Sequence, residues 1–256
     1  MAASANKTRP RRTAGKRAPP RRDLDRQSVI DAALAEIDAT GAESFNLRNL
    51  ARRLGVYPTA IYWYVPSKNE LLAEVVGAVF RNVAPPVRGG DWRDYLRVLF
   101  NRYRDSIKQH PNVGSLVAAH LIGNLGIGFD FVEGLLVALQ DAGLAGPDLT
   151  AGYNAMFASL IGFVIQEFSP VPQQETRAWQ TAVQRRLAHV DPAVHPVLAA
   201  NLHFLTNKAF ILRWQSGGEV PLNQSFELFI DQVIAGIELL AARSHPTRSH
   251  AAKSRG

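Results

Sequence analysis

The sequence predicts an all-α protein, with a small N-terminal helical unit followed by a larger helical bundle. Three observations lead there. Apolar residues recur three and four positions apart along most of the chain, the spacing of a helix face. No stretch alternates apolar and polar residues in the period of two that a half-buried strand needs. Glycine and proline cluster at intervals of one helix length, where turns belong.

The first helix follows from Ile30, Ala33, Leu34 and Ile37 on one face, with Gly41 ending it. Asn46 is placed to N-cap a second helix whose apolar side is Leu50, Ala51 and Leu54. Small Ala51 lets another helix approach closely. Gly55 supplies the left-handed backbone angle for a sharp turn, and Val56 and Ile61 plug the angle between the two helices. The exposed side of the third helix then carries Thr59, Tyr62, Trp63 and Tyr64. Ser67 and Glu70 read as the capping box of a fourth helix, whose stripe is Leu71, Leu72, Val75, Val76, Val79 and Phe80. Pro85, Pro86, Gly89 and Gly90 break the chain after it. Asp91 caps the next helix, where Trp92, Tyr95, Leu96, Leu99, Phe100, Tyr103 and Ile107 recur up to Pro111. Further helices are expected near 113–122, 128–142, 148–168, 174–189, 193–214 and 223–242. Gly143, Gly146-Pro147, Ser169 to Pro172 and Gly217 to Pro221 separate several of them.

The 256 residues include no cysteine, which excludes disulfides and thiolate zinc sites. This length suffices for a large core in one or two domains. The formal net charge of +7 is unevenly spread. Residues 1–22 hold Lys7, Arg9, Arg11, Arg12, Lys16, Arg17, Arg21 and Arg22 with no acid, and the segment from Arg243 onward is also purely basic, so the body between is mildly acidic. The first 22 residues are too poor in large apolar side chains to offset ordering entropy, so a disordered basic arm is expected. Such an arm either tracks phosphates and a minor groove or is a solvated tail. No apolar run reads as long enough to span a bilayer. The most apolar stretch, Leu125 to Leu139, is interrupted by Asp130 and Glu133. The basic N-terminus lacks an apolar signal-peptide region, so a cytoplasmic protein without membrane contact is expected. The expected divisions are the arm at 1–22, a DNA-binding unit at 23–83, a ligand and dimerisation unit at 84–243, and a basic tail at 244–256.

Arg48, Arg52 and Arg53 flank the Gly55 turn, and the two helices it joins form a helix-turn-helix. Such a pair lays its second helix in the major groove while the first crosses the backbone. Gly55-Val56, the run Ile61-Tyr62-Trp63-Tyr64-Val65 and the segment Ser67 to Leu72 resemble the N-terminal domain of the TetR family of bacterial repressors. The resemblance is specific over roughly residues 25–80. Beyond that it rests on an all-helical remainder of suitable length. It implies a dimeric transcriptional repressor that a small-molecule effector releases from a double-stranded DNA operator. Control by a protein partner instead of a small ligand is the alternative.

The resemblance places base or phosphate contacts on Arg48, Thr59, Tyr62 and Trp63, and a phosphate contact on Lys68. An arginine can donate to guanine O6 and N7, a threonine can meet a thymine methyl, and a tyrosine hydroxyl can reach phosphate. Tyr62 and Trp63 could equally pack between helices. Pro58 stands where tetracycline repressors carry a base-reading glutamine, so the operator should differ from theirs.

For the effector, the candidate lining is Tyr103, His110, His120, Asn124, Tyr153, Asn154, Phe157, Glu167, His203 and Asn207, an apolar and aromatic set with a few polar groups. A helical core with a few satisfied polar groups has the same composition. The helix from Arg102 to His110 resembles the family's source of a metal-ligating histidine, and Gly162 to Glu167 loosely resembles its metal-linked glutamate. The simpler reading has His110 closing a helix C-terminus before Pro111, where positive charge is favourable, and no metal or cofactor is expected. The last helix combines the stripe Phe226, Phe229, Ile230, Val233, Ile237 and Leu240 with Leu228, Ala235 and Leu239, so it needs cover on two sides. The 149–168 stretch is similar, with small Gly152, Ala155, Ser159 and Gly162 among Met156, Leu160, Phe163 and Val164. Either one large core covers both or, as the resemblance implies, they pair with their copies in a four-helix homodimer interface. No phosphate loop, His-x3-His helix or nucleophile elbow is present, so no enzyme is expected.

If the arm engages phosphates, deleting residues 1–22 should flatten the dependence of log K on log salt by roughly 0.9 for each phosphate that the arm neutralises. The ratio of specific to random-sequence binding should stay near its original value. Fluorescence anisotropy on both duplexes across several salt concentrations measures this. An unchanged slope would make the arm a solvated tail.

Overall fold

A computed structural model describes residues 24–86, 90–119, 128–172 and 176–244. The basic arm, nearly all of the basic tail, and the candidates His120 and Asn124 lie outside them. Among the described residues there are helices and turns but no strand.

Helices α1 (Arg26–Thr40), α2 (Leu47–Leu54), α3 (Pro58–Ile61) and α4 (Lys68–Phe80) form the N-terminal unit. Their ends follow local chemistry. The Asp25 side chain accepts from the Ser28 N–H, Asn46 from the Asn49 N–H, and Ser67 from the Glu70 N–H. Asp25 is a favoured capping residue, with apolar Leu24 before it and buried Val29 four residues after it. Val29, Ala33 and Ile37 of α1 are buried with Leu71, Val75 and Val76 of α4, and α1 packs on both α2 and α4. Arg26 of α1 reaches Glu74 of α4 at 2.8 Å on the surface.

Helix α5 (Trp92–Gln109) begins at the Asp91 cap and ends at His110. A 3-10 turn over Pro111–Val113 leads into α6 (Gly114–Ala119). Then come α7 (Phe129–Asp141), α8 (Gly146–Phe168), α9 (Thr176–Ala188), α10 (Pro196–Leu205) and α11 (Asn223–Ser244). Helix α5 is the hub of the bundle, packing against α4, α7, α8 and α11. The buried side chains form one continuous apolar cluster from Val29 to Ile237.

One charged pair lies inside that cluster. Arg104 of α5 donates through Nε to Glu167 Oε2 at 2.8 Å and through Nη2 to Oε1 at 2.6 Å. The same Nη2 reaches Asn223 Oδ1 at 2.9 Å, and Glu167 Oε1 accepts from the Leu222 N–H at 2.8 Å. The guanidinium also lies 4.7 Å from the Phe226 ring. Three helices, α5, α8 and the start of α11, therefore meet on one carboxylate. The Gly217 N–H donates to the Glu167 carbonyl at 2.7 Å. A Cβ there would sit 2.5 Å from Glu167 Cγ, so only glycine lets the chain pass this close.

Three expectations need correction. The helix expected over 193–214 stops at Leu205. Asn207 takes a left-handed φ of 57°, and its side-chain carbonyl accepts from the Trp214 and Gln215 N–H groups, folding the chain back on itself. Regular α3 ends at Ile61, and Tyr62, Trp63 and Tyr64 continue it as turns closed by the Tyr64 and Val65 N–H groups on the Ile61 carbonyl. Finally, an apolar run of spanning length does exist. Helix α8 has 23 residues, and its most apolar 18-residue window has a mean hydropathy of 1.3, so it is long and apolar enough by those two measures to cross a membrane. Its charges sit near its ends, at Asp148 and Glu167. One face of it packs on α5, α6, α7 and α11, and the opposite face is open.

Glu167→Gln should destabilise the fold by about 3–5 kcal/mol, because Arg104 keeps a buried charge with no counter-charge. Arg104→Met combined with Glu167→Met should recover part of this loss, with the Leu222 N–H still lacking its acceptor. Urea unfolding measures both. A single variant within about 0.5 kcal/mol of the parent would mean that the pair does not clamp the bundle.

Candidate nucleic-acid interface

The α2–α3 unit is built around its turn. Gly55 sits at φ 70°, ψ 28°, and its N–H and that of Val56 return to the carbonyls of Arg52 and Ala51. Ala51 and Ile61 are each 1% exposed, so the small residue and the plug sit in the angle between the helices. Helix α2 packs on α1 and against α3, and the solvent-facing residues of the pair form its outer surface.

That surface is aromatic and basic. Tyr57 is 83% exposed, Tyr62 49% and Trp63 89%. Burial of Tyr62 or Trp63 between helices is not what the fold produces. Thr59, Arg48 and Lys68 are exposed as well, and Pro58, half-buried, starts α3 at its first position. Lys68 Nζ donates to the Phe45 carbonyl at 3.0 Å and lies 5.6 Å from the Phe45 ring. This bond fixes the start of α4 against the loop before α2 and leaves further ammonium donors for an anion. Arg52 is steadied by Asn49 Oδ1 at 2.8 Å. Behind this face, Glu36 is buried on α1, where desolvation raises its carboxyl pKa against the pull of Arg53 and Arg52. Tyr57 is an addition to the sequence-derived set. Its signal was a large aromatic directly before the proline that opens α3.

The candidate effector residues divide. Tyr103, Phe157 and Tyr153 belong to one series of rings. Phe80 of α4 stacks on Tyr103 at 4.8 Å, Tyr103 neighbours Phe131 at 5.9 Å, Phe131 meets Phe157 at 6.0 Å, and Phe157 stacks on Tyr153 at 5.7 Å. The Tyr103 hydroxyl is buried without a hydrogen-bond partner, and burial pushes the phenol pKa up. The other residues sit elsewhere. His110 caps α5 and places Nδ1 2.9 Å from Asp38 Oδ2 at the end of α1. Beside it, Asn112 donates to the carbonyls of Ile37 and Asp38 at 3.2 and 3.0 Å. Glu167 is committed to Arg104, Asn207 organises its own loop, and Asn154 and His203 are exposed. His110 and Glu167 thus have protein partners. Among the described residues no group of three or more His, Asp or Glu is arranged to hold a metal ion.

Comparison with known families decides the identity of this architecture. Residues 29–75 match the family of bacterial regulatory proteins named tetR, and residues 84–240 match the tetracyclin repressor-like C-terminal domain. The chain belongs to the TetR family. It is a TetR-family transcription regulator with a helix-turn-helix DNA-binding unit. It is 29% identical over 180 residues to an HTH-type transcriptional regulator of Saccharopolyspora erythraea, covering 70% of this chain and 75% of that one. A class D tetracycline repressor of Escherichia coli is 37% identical over 97 residues, which is 34% of this chain and 44% of the repressor. Among solved structures, Streptomyces coelicolor ActR in complex with actinorhodin superposes with a TM-score of 0.64 at 21% identity, over 88% of this chain and 99% of that one. BioQ with its double-stranded DNA operator gives a TM-score of 0.57 at 20% identity, over 84% and 99%. At such identities these TetR structures show a shared fold.

Arg48→Ala and Tyr62→Phe should weaken DNA binding in different ways. If Arg48 meets a guanine, its loss should cost about 1–3 kcal/mol on the cognate duplex and relax preference at that base pair. The Tyr62 hydroxyl, as a phosphate donor, should weaken cognate and scrambled duplexes alike. Binding isotherms on both duplexes separate the cases, and equal losses for Arg48→Ala would reassign that side chain to the backbone.

Proposed function

We propose that this chain is a homodimeric transcriptional repressor that a small-molecule effector releases from its operator. The observation that carries the DNA-binding half is the helix-turn-helix itself, on whose two helices and closing turn Arg48, Thr59, Tyr62 and Trp63 are each exposed. Large aromatics open to solvent are costly unless a partner covers them, and arginine beside aromatic hydroxyls suits a sugar-phosphate backbone and base edges. Lys68 and Pro58 complete the proposed contact set, with Pro58 shaping the start of α3. The proposed DNA-binding unit spans residues 23–83 and the effector and dimerisation unit residues 84–243. The protein would act on DNA in the bacterial cytoplasm.

The dimer reading rests on α8 and α11. Phe226, Ile230, Ile234 and Ile237 point α11 inward, while Phe229, Val233 and Leu240 stay half-buried. Phe229, Val233 and Leu240 line an open, mainly apolar groove of about 730 Å³ with Ala155, Ser159, Gly162 and Phe163 of α8. A second copy of the same two helices fits this groove, since small residues on one helix admit large ones from the other. The two-fold axis would then present two α3 helices to successive half-sites.

The effector reading rests on Tyr103. A fully buried phenol with an unpaired hydroxyl costs stability, and a ligand acceptor would satisfy it. Tyr103 stacks on Phe80, the last residue of α4, so a ligand that moves Tyr103 also moves the helix leading to the DNA-binding unit. The Asp38–His110 and Asn112 contacts tie the same end of α5 to α1. An effector that binds better to the conformer with displaced DNA-binding units would shift the population off DNA. Tyr153 and Phe157 are the further proposed contacts. A protein partner acting at the same joint is the second reading.

Sedimentation at micromolar concentration should give twice the chain mass, and Val233→Glu should shift it to monomer while abolishing operator binding. A monomeric parent that still binds operator tightly and specifically would contradict the dimer.

A further inference from the structure

A second cavity, of about 270 Å³, lies where the end of α8 meets the 206–216 segment. Trp179 of α9, Phe210, Pro170 and Pro172 form apolar walls, and Glu167 and Arg213 are the charged groups on them. It shares no wall with the Tyr103 ring series.

Arg213 is the anomaly in this cavity. Its Nη2 donates to the Val220 carbonyl at 2.6 Å. Its Nε and Nη1 are shut off from solvent and have no acceptor. Burial lowers the Arg213 pKa, and the negative charge of Glu167 holds it up. Glu167 makes no hydrogen bond to Arg213; three of its acceptor positions are taken by Arg104 and the Leu222 N–H. The Arg213 side chain as a whole is half-buried, and two shielded donors left open on it carry an unmet desolvation cost.

The segment that carries it is also strained. Asn207 and Ile211 have φ of 57° and 59°, and Ile211 is a β-branched residue in left-handed space. Ile211 is 95% exposed, so burial of its side chain does not offset this strain. What holds the loop is the Asn207 side chain on the Trp214 and Gln215 N–H groups, together with Gln180 Nε2 on the Trp214 carbonyl. The loop thus spends strain to carry an unpaired cation beside an apolar cavity. Strained backbone and unpaired polar groups gather where a ligand completes the site.

The chemistry of the missing acceptor follows. One guanidinium supplies one positive charge, and Glu167 on the wall disfavours a dianion. A planar carboxylate matches guanidinium geometry and gives a charge-assisted hydrogen bond. At about 270 Å³ the cavity falls just below the range for drug-sized ligand sites, which begins at about 300 Å³, so the guest is small. We propose that this cavity binds a small organic monocarboxylate, its charge taken by Arg213 and its apolar body held between Trp179 and Phe210. The site goes beyond the effector reading at Tyr103 and does not depend on it.

The test uses the full chain without DNA and sodium benzoate as the probe, at constant ionic strength, by isothermal titration calorimetry. Fluorescence of Trp179 and Trp214 gives a second readout. The expected result is saturable binding of one benzoate per chain, with no binding of neutral benzamide. Arg213→Gln should weaken benzoate binding by roughly tenfold or more, and Arg213→Lys, which keeps the charge without the planar donors, should fall between. Circular dichroism checks that both variants fold, and if Arg213→Gln does not, the lysine variant and the benzamide comparison still decide. Absence of saturable benzoate binding, equal binding of benzamide, or undiminished binding by the folded variants would each overturn the proposal.

Discussion

The bundle hangs on a single buried carboxylate. Glu167 accepts two donors from Arg104 and one from the Leu222 backbone, and its own carbonyl receives the Gly217 N–H. These contacts lock α5, α8 and the entry to α11 into one arrangement. A hydrophobic contact there would stabilise comparably but would tolerate sliding, whereas a bidentate ion pair fixes angle and register. The register matters because α8 and α11 together line the open groove. Charge in the core therefore sets geometry, and the surrounding Leu96, Phe100, Leu160, Val164 and Ile230 supply the burial.

Around that fixed point the structure has two connections to the N-terminal unit. One is the Phe80–Tyr103 stack between α4 and α5. The other is the polar contact of His110 and Asn112 with the end of α1. Both originate on or beside α5, one near its middle and one at its end. A tilt of α5 would therefore be felt at α4 and α1 together, and α1 packs on both α4 and α2, the partner of α3. The continuity of the apolar cluster across both units makes this joint a packed one, in which small shifts are passed on and not absorbed.

Much of this was legible in the sequence because it is local. Gly55, Ile61 and the Asn46, Ser67 and Asp91 caps act within one or two turns, and residue type alone specifies them. Non-local partnerships were less visible. Glu167 reads as part of a metal-linked segment by resemblance, yet its partner is Arg104, a charge standing in the apolar face that runs through Leu96, Phe100 and Tyr103. An arginine on that stripe was the available sign of a buried pair. The overlong helix at 193–214 failed because apolar periodicity continues past Leu205. Asn207 stops it by binding N–H groups seven and eight residues ahead, a contact that periodicity does not report. The candidate effector set mixed core, loop and surface residues because polar groups in helical cores have no distinctive spacing. Among the described residues, the ring series around Tyr103 brings Tyr103, Phe157 and Tyr153 together.

The central claim is that α2–α3 reads DNA as part of a two-fold pair. Selection of bound duplexes from a random-sequence library, followed by sequencing, tests it most directly. The account predicts enrichment of inverted half-sites whose centres lie about one helical turn apart, or a multiple of it. Enrichment of a single asymmetric motif, or no enrichment at all by the folded protein, would contradict it.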